Sequence, residues 1–212
     1  MSYLNQTLKR YLDDLSAKKP TPGGGSVSAL ASSLGTALIS MVCNFTIGKP
    51  RYKDVEEEIR KFLEENETLR LRLAELIDLD ISAYEKVSQI RKFSQEKREE
   101  NAEKLQGAIR GAVLVPLEVC QLSIKALKIC KDLIDKANVH LISDLSIAAN
   151  LLKAGFLSAL ANIEINLFSL KDKEFIVKIR QILEPLMKEN ETLPYLIQES
   201  VKEKMNKTKI EE

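Results

Sequence analysis

The chain has 212 residues, of which 44% are hydrophobic and 30% charged, a composition typical of a folded protein with one sizeable core. Its 32 basic and 31 acidic side chains leave a net charge of +1. A chain so close to neutral has no general electrostatic attraction to nucleic acid or to anionic membranes, so neither is expected as a partner.

The cysteines and the single histidine argue against several kinds of site. Cys43, Cys120 and Cys130 lie far apart and lack CxxC spacing, which is unlike a disulfide framework or a zinc site. We expect buried thiols in a reducing cytoplasm and no metal. The charged, amphipathic N-terminus does not resemble a secretory signal. His140 has no suitable nucleophile near it in sequence and is interpreted as a packing residue of a loop.

Helical periodicity dominates the chain from its start. Ser2 is expected to cap a first helix that runs to about Ala17. Pro20 and Pro22 then end that helix, and the three glycines at 23–25 form a turn. The first helix should bury one apolar face, made of Leu4, Leu8, Tyr11, Leu12 and Leu15.

The remaining elements are also predicted to be helices. They cover about residues 26–46, 53–92, 102–136 and 143–169, followed by a last helix from Asp172. The polar stretch SQEKREENAEKL at 94–105 either breaks the third helix or continues it. Pro116 should either kink the fourth helix or make it restart, and Pro185 and Pro194 should divide the last one.

These elements predict an all-α fold, a single-domain bundle of about six to eight helices over residues 1–212 with a frayed tail from about 203. The second helix lacks charge over a length that could span a membrane. Its many serines and other small polar residues instead favour a central helix, buried on all sides. Because such a helix often lies at a subunit interface, we expect a homodimer.

Three consecutive glycines before this helix call for a physical reason. Gly23, Gly24 and Gly25 are either a plain tight turn or a backbone-lined pocket wall, because helix N-termini attract anions and carboxylate oxygens. The stretch GGGSVSA lacks the Lys-Ser/Thr pair of a phosphate loop, and no strand precedes it. Ser26 can cap the second helix or bond to a ligand.

The glycine stretch also carries a resemblance to a known family. PTPGGGSVSALASSLGTALISMV at 20–42 resembles the opening signature of the formiminotetrahydrofolate cyclodeaminase family, which includes stand-alone methenyltetrahydrofolate cyclohydrolases. The similarity continues in order through GKPRY at 48–52, DLDISAY at 78–84, VPL at 115–117, SDLSIAA at 143–149 and NIEIN at 162–166. It implies an all-helical dimer with a tetrahydrofolate derivative as substrate.

The resemblance implies one of two reactions on a folate one-carbon unit. The first candidate is cyclodeamination of 5-formiminotetrahydrofolate to 5,10-methenyltetrahydrofolate and ammonia. The alternative is hydrolysis of the methenyl bridge to 10-formyltetrahydrofolate. Both need a proton shuttle, which one carboxylate can supply, and neither needs a metal or redox cofactor.

The resemblance assigns the catalytic role to Asp80. From the residues alone, Asp80 is either a surface charge or a carboxylate at the edge of an apolar helix stripe, where partial desolvation would raise its pKa. Tyr84, four residues on, shares its side of the helix and is a candidate for substrate binding. Asp78 should point elsewhere, into solvent. Asp144 is either a helix-start residue or a second proton carrier or pterin ligand.

Further candidates are amides and cations. Asn162 and Asn166 lie four apart in an apolar stretch, and they should bond either to the pterin or to neighbouring backbone. Lys49 and Arg51 either bind the glutamate carboxylates of a folate or are ordinary surface charges.

A rival interpretation is a non-catalytic helical dimer that binds a ligand or a protein. It is favoured if Asp80, Asp144 and Asn162 face solvent. It is weakened if they converge beneath the three glycines.

Overall fold

A computed structural model describes the backbone of residues 2–93 and 98–211, and these residues form a single all-helical domain without strands. Short 3₁₀ turns at Tyr3–Asn5, Pro50–Val55 and Val139–Leu141 accompany the helices. The six α-helices are α1 (Leu8–Ser16), α2 (Gly24–Thr46), α3 (Glu56–Phe93), α4 (Arg98–Leu133), α5 (Ile142–Phe168) and α6 (Lys173–Glu211). The predicted all-α fold is confirmed.

The N-terminal segment differs from its prediction. A 3₁₀ turn precedes α1, which is capped by Thr7 rather than by Ser2, because the Thr7 hydroxyl accepts a hydrogen bond from the Arg10 N–H at 3.1 Å. The predicted apolar face is only partly buried. Tyr11 packs inside against Tyr3, whereas Leu4, Leu8 and Leu12 remain exposed in the single chain.

Pro185 and Pro194 do not divide the last helix as predicted, because both lie within α6. Pro116 lies within α4, so the helix does not restart there, and a kink at this residue stays a prediction. A proline removes one backbone hydrogen bond, and packing along the rest of a long helix can compensate for that loss. Part of the 94–105 stretch, residues 94–97, lies outside the described residues, while α4 already begins at Arg98. Asp172 caps α6, since its carboxylate accepts from the Phe175 N–H at 3.0 Å. The predicted fraying of the tail stays a prediction.

Consecutive long helices pack antiparallel, with α2 at the centre between α3, α4 and α5. Near the start of α2, Gly25 meets Asp80 of α3, while near its end the Ser40 hydroxyl donates to Glu67 at 2.5 Å. Against α5, Gly155 allows a close approach, because a Cβ there would lie 2.1 Å from the Ser32 hydroxyl oxygen. The small residues of α2 therefore do bring neighbouring helices close, as predicted.

The prediction that α2 is buried on all sides is wrong for the single chain. Leu34 and Phe45 are 51% and 57% exposed, and Ile147, Leu157 and Ile165 of α5 are exposed as well. By length and composition, α2 and the segment Val139–Phe168 could each cross a membrane. This is a weak indication, since the core helix of a soluble protein meets the same criterion.

Candidate active site

A cavity of about 330 Å³ opens where the N-terminus of α2 meets α3, α4 and the C-terminal part of α5. Cavities of this size hold small-molecule ligands. One side is backbone of the glycine turn, and the rest mixes apolar side chains with a few polar groups. Its lining consists of Pro20, Thr21, Gly23, Gly24, Gly25, Asp80, Ala83, Tyr84, Val87, Arg91, Ala112, Asn162, Ile165, Asn166 and Ser169.

The glycine stretch leaves room for the carboxyl group of Asp80 beside the start of α2. Helix α2 begins at Gly24, two residues earlier than predicted, with Gly23 as its N-cap. A Cβ on Gly25 would lie 2.0 Å from Asp80 Oδ1, so only glycine lets the carboxyl group approach the helix start. A Cβ on Gly24 would lie 3.5 Å from Asn162 Nδ2, which is an ordinary van der Waals contact. The tight contact at one glycine excludes a plain turn as the full explanation.

Asp80 is a carboxyl group with an altered affinity for protons. Burial raises its pKa from 3.8 to about 6, against the opposing effect of the Ser26 backbone N–H, which donates to the carboxylate. A pKa in this range suits a group that both accepts and returns a proton near neutral pH. The interpretation of Asp80 as a solvated surface charge is therefore excluded.

The Ser26 side chain has a different role from the predicted ones. It neither caps α2 nor lines the cavity, and it is fully buried. Its hydroxyl shares a 3.0 Å hydrogen bond with the Tyr11 hydroxyl, and burial raises the pKa of that tyrosine. Ser26 thus holds α1 behind the carboxylate. The sequence placed Tyr11 on an apolar face, without signalling this contact.

Asn162 and Asn166 make the predicted bonds to backbone, and their predicted contact with a pterin stays a prediction. Both line the cavity, and both also bond to backbone: Asn162 Nδ2 donates to the Ser158 carbonyl at 2.8 Å, and Asn166 Nδ2 to the Ala112 carbonyl at 3.2 Å. These bonds fix the two amides. Each fixed amide has a carbonyl oxygen that can accept from the N–H groups of a ligand.

Two residues of α3 complete the cavity on the side away from the glycines. Tyr84 lines it as predicted and is 46% exposed, so its ring is accessible to a ligand. Arg91 also lines it, a cation that sequence reasoning missed. The sequence did contain a signal for Arg91, because residues 80, 84, 87 and 91 follow helical spacing and lie on one face of α3.

Three predicted site residues lie at the opposite end of the bundle. Lys49 and Arg51 follow the C-terminus of α2, about 33 Å from the glycines at the rise of an α-helix. Asp144 lies in the first turn of α5, about 27 Å along that helix from Asn162. Within one chain, none of the three lines the cavity. The expected convergence holds for Asp80 and Asn162 and fails for Asp144.

Asp78 is not solvated as predicted. It is half-buried, and its carboxylate accepts from the Ser2 hydroxyl at 2.5 Å and from the Tyr3 N–H at 2.8 Å. The side chain therefore fastens the N-terminal turn to α3, beside the helix that carries Tyr11.

Replacing Asp78 by Ala should lower the free energy of unfolding by about 2 kcal/mol, because two hydrogen bonds to a charged group are lost. Urea unfolding followed by circular dichroism measures the change. Asp13→Ala is the matched control, since among the described residues the Asp13 carboxylate pairs with exposed Lys9 one helix turn away, and such pairs contribute about 0.3–0.5 kcal/mol. Equal losses in the two variants would contradict the anchoring role.

The other candidate features of the described residues are less suited to catalysis than the cavity at Asp80. Among the described residues, no group of three or more His, Cys, Asp or Glu side chains could hold a metal ion. The three cysteines are buried, as predicted, whereas His140 is exposed on a 3₁₀ turn rather than packed. An open groove of about 580 Å³ between α5 and α6 is lined by Glu164, Val177, Arg180, Gln181, Leu183, Glu184, Met187, Lys188 and Glu191. Its acids are exposed in an open groove, whereas Asp80 is half-buried.

Comparison with known proteins agrees with this geometry. The family described as Formiminotransferase-cyclodeaminase matches residues 7–185. Methenyltetrahydrofolate cyclohydrolase of Methylorubrum extorquens is 36% identical over 205 residues, covering 95% of this chain and 99% of that protein. Formimidoyltransferase-cyclodeaminase of Rattus norvegicus is 30% identical over 92% of this chain, which spans only 37% of that longer protein.

A solved structure shares the fold. The crystal structure of formiminotetrahydrofolate cyclodeaminase from Thermotoga maritima superposes with a TM-score of 0.87 at 32% identity, covering 95% of this chain and 98% of that one. At this identity and coverage the likeness extends over the whole helical bundle, including the elements that build the cavity. The chain therefore belongs to the formiminotransferase-cyclodeaminase family, whose members are enzymes of folate one-carbon metabolism.

Proposed function

We propose that this protein is a methenyltetrahydrofolate cyclohydrolase, which opens the 5,10-methenyl bridge to 10-formyltetrahydrofolate. The observation that carries the proposal is Asp80, a carboxyl group with a pKa of about 6 beside the glycine wall of a ligand-sized cavity. The cyclohydrolase relative supports this reaction, because it is matched over 99% of its length at 36% identity, against 32% for the cyclodeaminase structure.

The chemistry needs only water and proton transfers. Water adds to the bridge carbon of the methenyl cation, a C–O bond forms, and Asp80 accepts one proton from the water. The bond from the carbon to N5 then breaks as Asp80 returns that proton to N5. The former hydroxyl loses its proton to solvent, which leaves the formyl group on N10 and releases one proton overall.

The other polar groups of the cavity orient the substrate in this proposal. Asn162 and Asn166 accept from the N–H edge of the pterin, whose ring lies against the backbone of Gly24 and Gly25. The ring of Tyr84 packs beside it. The enzyme would act in the cytoplasm and would need no cofactor beyond the folate itself.

Cyclodeamination is the second candidate, and the Thermotoga maritima cyclodeaminase structure supports it. In that reaction N10 attacks the formimino carbon on N5, and a C–N10 bond forms. The formimino group reacts in its protonated form, and Asp80 takes the proton from N10 and gives it to the departing nitrogen. Ammonia leaves, and the methenyl cation remains. The same carboxyl group therefore serves both reactions.

An absorbance assay separates the candidates. The purified protein is mixed with 5,10-methenyltetrahydrofolate in one cuvette and with 5-formiminotetrahydrofolate in another, and the near-ultraviolet methenyl band is followed. A cyclohydrolase accelerates loss of the band in the first cuvette beyond the spontaneous rate. A cyclodeaminase produces the band with ammonia in the second. No change in either cuvette would overturn both proposals and favour a non-catalytic binding dimer.

We also propose that the chain acts as a homodimer through α2 and α5. Both helices expose large apolar side chains, including Leu34 and Phe45 on α2 and Ile147 and Leu157 on α5. A monomer rarely leaves so many large apolar groups exposed on neighbouring helices. A second copy, with the same apolar groups, is the occupant proposed for this surface.

Leu34→Glu should convert the dimer to a monomer, because it would bury a carboxylate in the interface. Sedimentation velocity should give wild-type protein twice the chain mass of 23.9 kDa and the variant a single chain mass. Leu71→Glu on α3, where the leucine is 55% exposed, is the control and should remain dimeric. A monomeric wild type, or one that needs detergent to stay in solution, would contradict the proposal.

A further inference from the structure

The cavity has opposite charges at its two ends. Asp80 lies at the glycine end, and Arg91 lies on the same stripe of α3, eleven residues further on. At the rise of an α-helix this places their backbones about 16 Å apart along the helix axis. The site is therefore an elongated groove that runs along α3, with a proton-transferring carboxyl group at one end and a guanidinium group at the other.

The wall between these ends is apolar and aromatic. Ala83, Tyr84 and Val87 line it from α3, and Ile165 lines it from α5. Such a surface favours a flat, uncharged body. The guanidinium group at the far end favours an anion, and its planar donors match a carboxylate especially well. A ligand that fits has a reacting ring system, an uncharged middle and a carboxylate end.

We propose that Arg91 binds the carboxylate-bearing glutamate tail of the folate while the one-carbon unit lies at Asp80. This inference rests on the proposed function and deepens it, because it fixes the direction of the substrate in the groove. The p-aminobenzoyl ring lies against the apolar middle. Arg91 takes the role that the sequence had suggested for Lys49 and Arg51, which lie at the other end of the bundle.

The test compares two substrates that differ only in the tail. One is 5,10-methenyltetrahydrofolate with a single glutamate, and the other is 5,10-methenyltetrahydropteroate, which has no glutamate. Arg91→Gln should raise KM for the first about tenfold, the loss expected for one charge-assisted interaction, with kcat little changed. KM for the second should be the same in variant and wild type. Arg91→Lys should recover part of the affinity for the first substrate.

Lys92→Gln is the matched control, since Lys92 is an exposed neighbour that does not line the cavity. It should leave both KM values unchanged. An equal rise of KM for the two substrates in Arg91→Gln would overturn the inference alone, because it would show that Arg91 only shapes the groove. A wild-type protein without activity on either substrate, in both the hydrolytic and the deaminating assay, would overturn the proposed function and the inference with it.

Discussion

Asp80→Asn should lower kcat about 10³-fold, because an amide can neither accept the proton of the attacking water nor return it to N5. The methenyl absorbance assay measures this loss at saturating substrate. KM should change little, since Asn preserves the shape of the side chain and can still accept from the Ser26 N–H. A variant that retains more than about a tenth of the wild-type kcat would contradict the catalytic role of Asp80.

The effect of Asp80→Asn on the free energy of unfolding should depend on pH, and this dependence serves as a control for folding. The pKa of Asp80 is raised from 3.8 to about 6 by burial, so the folded protein binds this proton more tightly than the unfolded chain does. The resulting stabilisation is complete below pH 3.8 and is lost as the pH rises through about 6. At pH 8 the buried charge costs on the order of 3 kcal/mol, which Asp80→Asn removes.

Asp80→Asn should therefore unfold at a higher temperature than wild type at pH 8 and at nearly the same temperature at pH 4. An inactive variant that is more stable at pH 8 cannot owe its inactivity to misfolding. The wild-type enzyme should show the matching kinetic behaviour, in which kcat/KM falls as the pH drops below about 6 and the carboxylate becomes protonated.

Gly25→Ala should lower kcat/KM at least 10²-fold, because a misplaced catalytic group has an effect of that order. The added Cβ would lie 2.0 Å from Asp80 Oδ1 and 2.4 Å from its Cγ, so the carboxyl group must leave its position. The absorbance assay measures the loss, and thermal unfolding reports whether the bundle is retained.

Two other glycines calibrate this result. Gly107 lies on α4, and a Cβ added there would have no neighbouring atom within 4 Å. Gly107→Ala should therefore keep wild-type activity and stabilise the helix slightly. Gly24→Ala meets Asn162 only at 3.5 Å and should lose less activity than Gly25→Ala. Equal losses at positions 24 and 25 would mean that the turn needs flexibility rather than room for the carboxylate.

The sequence predicted the helices well because their signals are local. Apolar periodicity, the Pro-Gly punctuation at 20–25 and the Asp172 cap depend on neighbours within a few turns. The effect of the two prolines inside α6 was wrongly predicted, because it depends on how much packing holds the rest of the helix. The burial of α2 was overestimated for one chain, since its composition says nothing about which neighbour covers each face.

The site was half predictable. The family resemblance and the local sequence pattern pointed to Asp80, Tyr84 and the glycines. The raised pKa of Asp80 depends on burial against α2, which no local pattern shows. Helix length alone would have separated Lys49 from the glycines, since a helix of 23 residues lies between them. Asp144 could be excluded from the site only once α5 was known to run antiparallel to α2.

The contacts behind the site could not be predicted. Asp78 bonds to Ser2 and Tyr3, about 75 positions away in the chain, and Tyr11 meets Ser26 across the turn. Such pairs depend on the docking of the N-terminal segment on the bundle. A single sequence records the polar groups but not their partners.

In the proposed complex, the glycine-walled cavity holds a reduced folate with its one-carbon unit at Asp80. The most direct measurement is a crystal structure of the complex with 5-formyltetrahydrofolate, a stable analogue. We expect the formyl group about 3 Å from the Asp80 carboxyl oxygens, within hydrogen-bond reach, with the pterin against Gly24 and Gly25. An analogue bound in the groove between α5 and α6, or bound with its formyl group away from Asp80, would contradict the account.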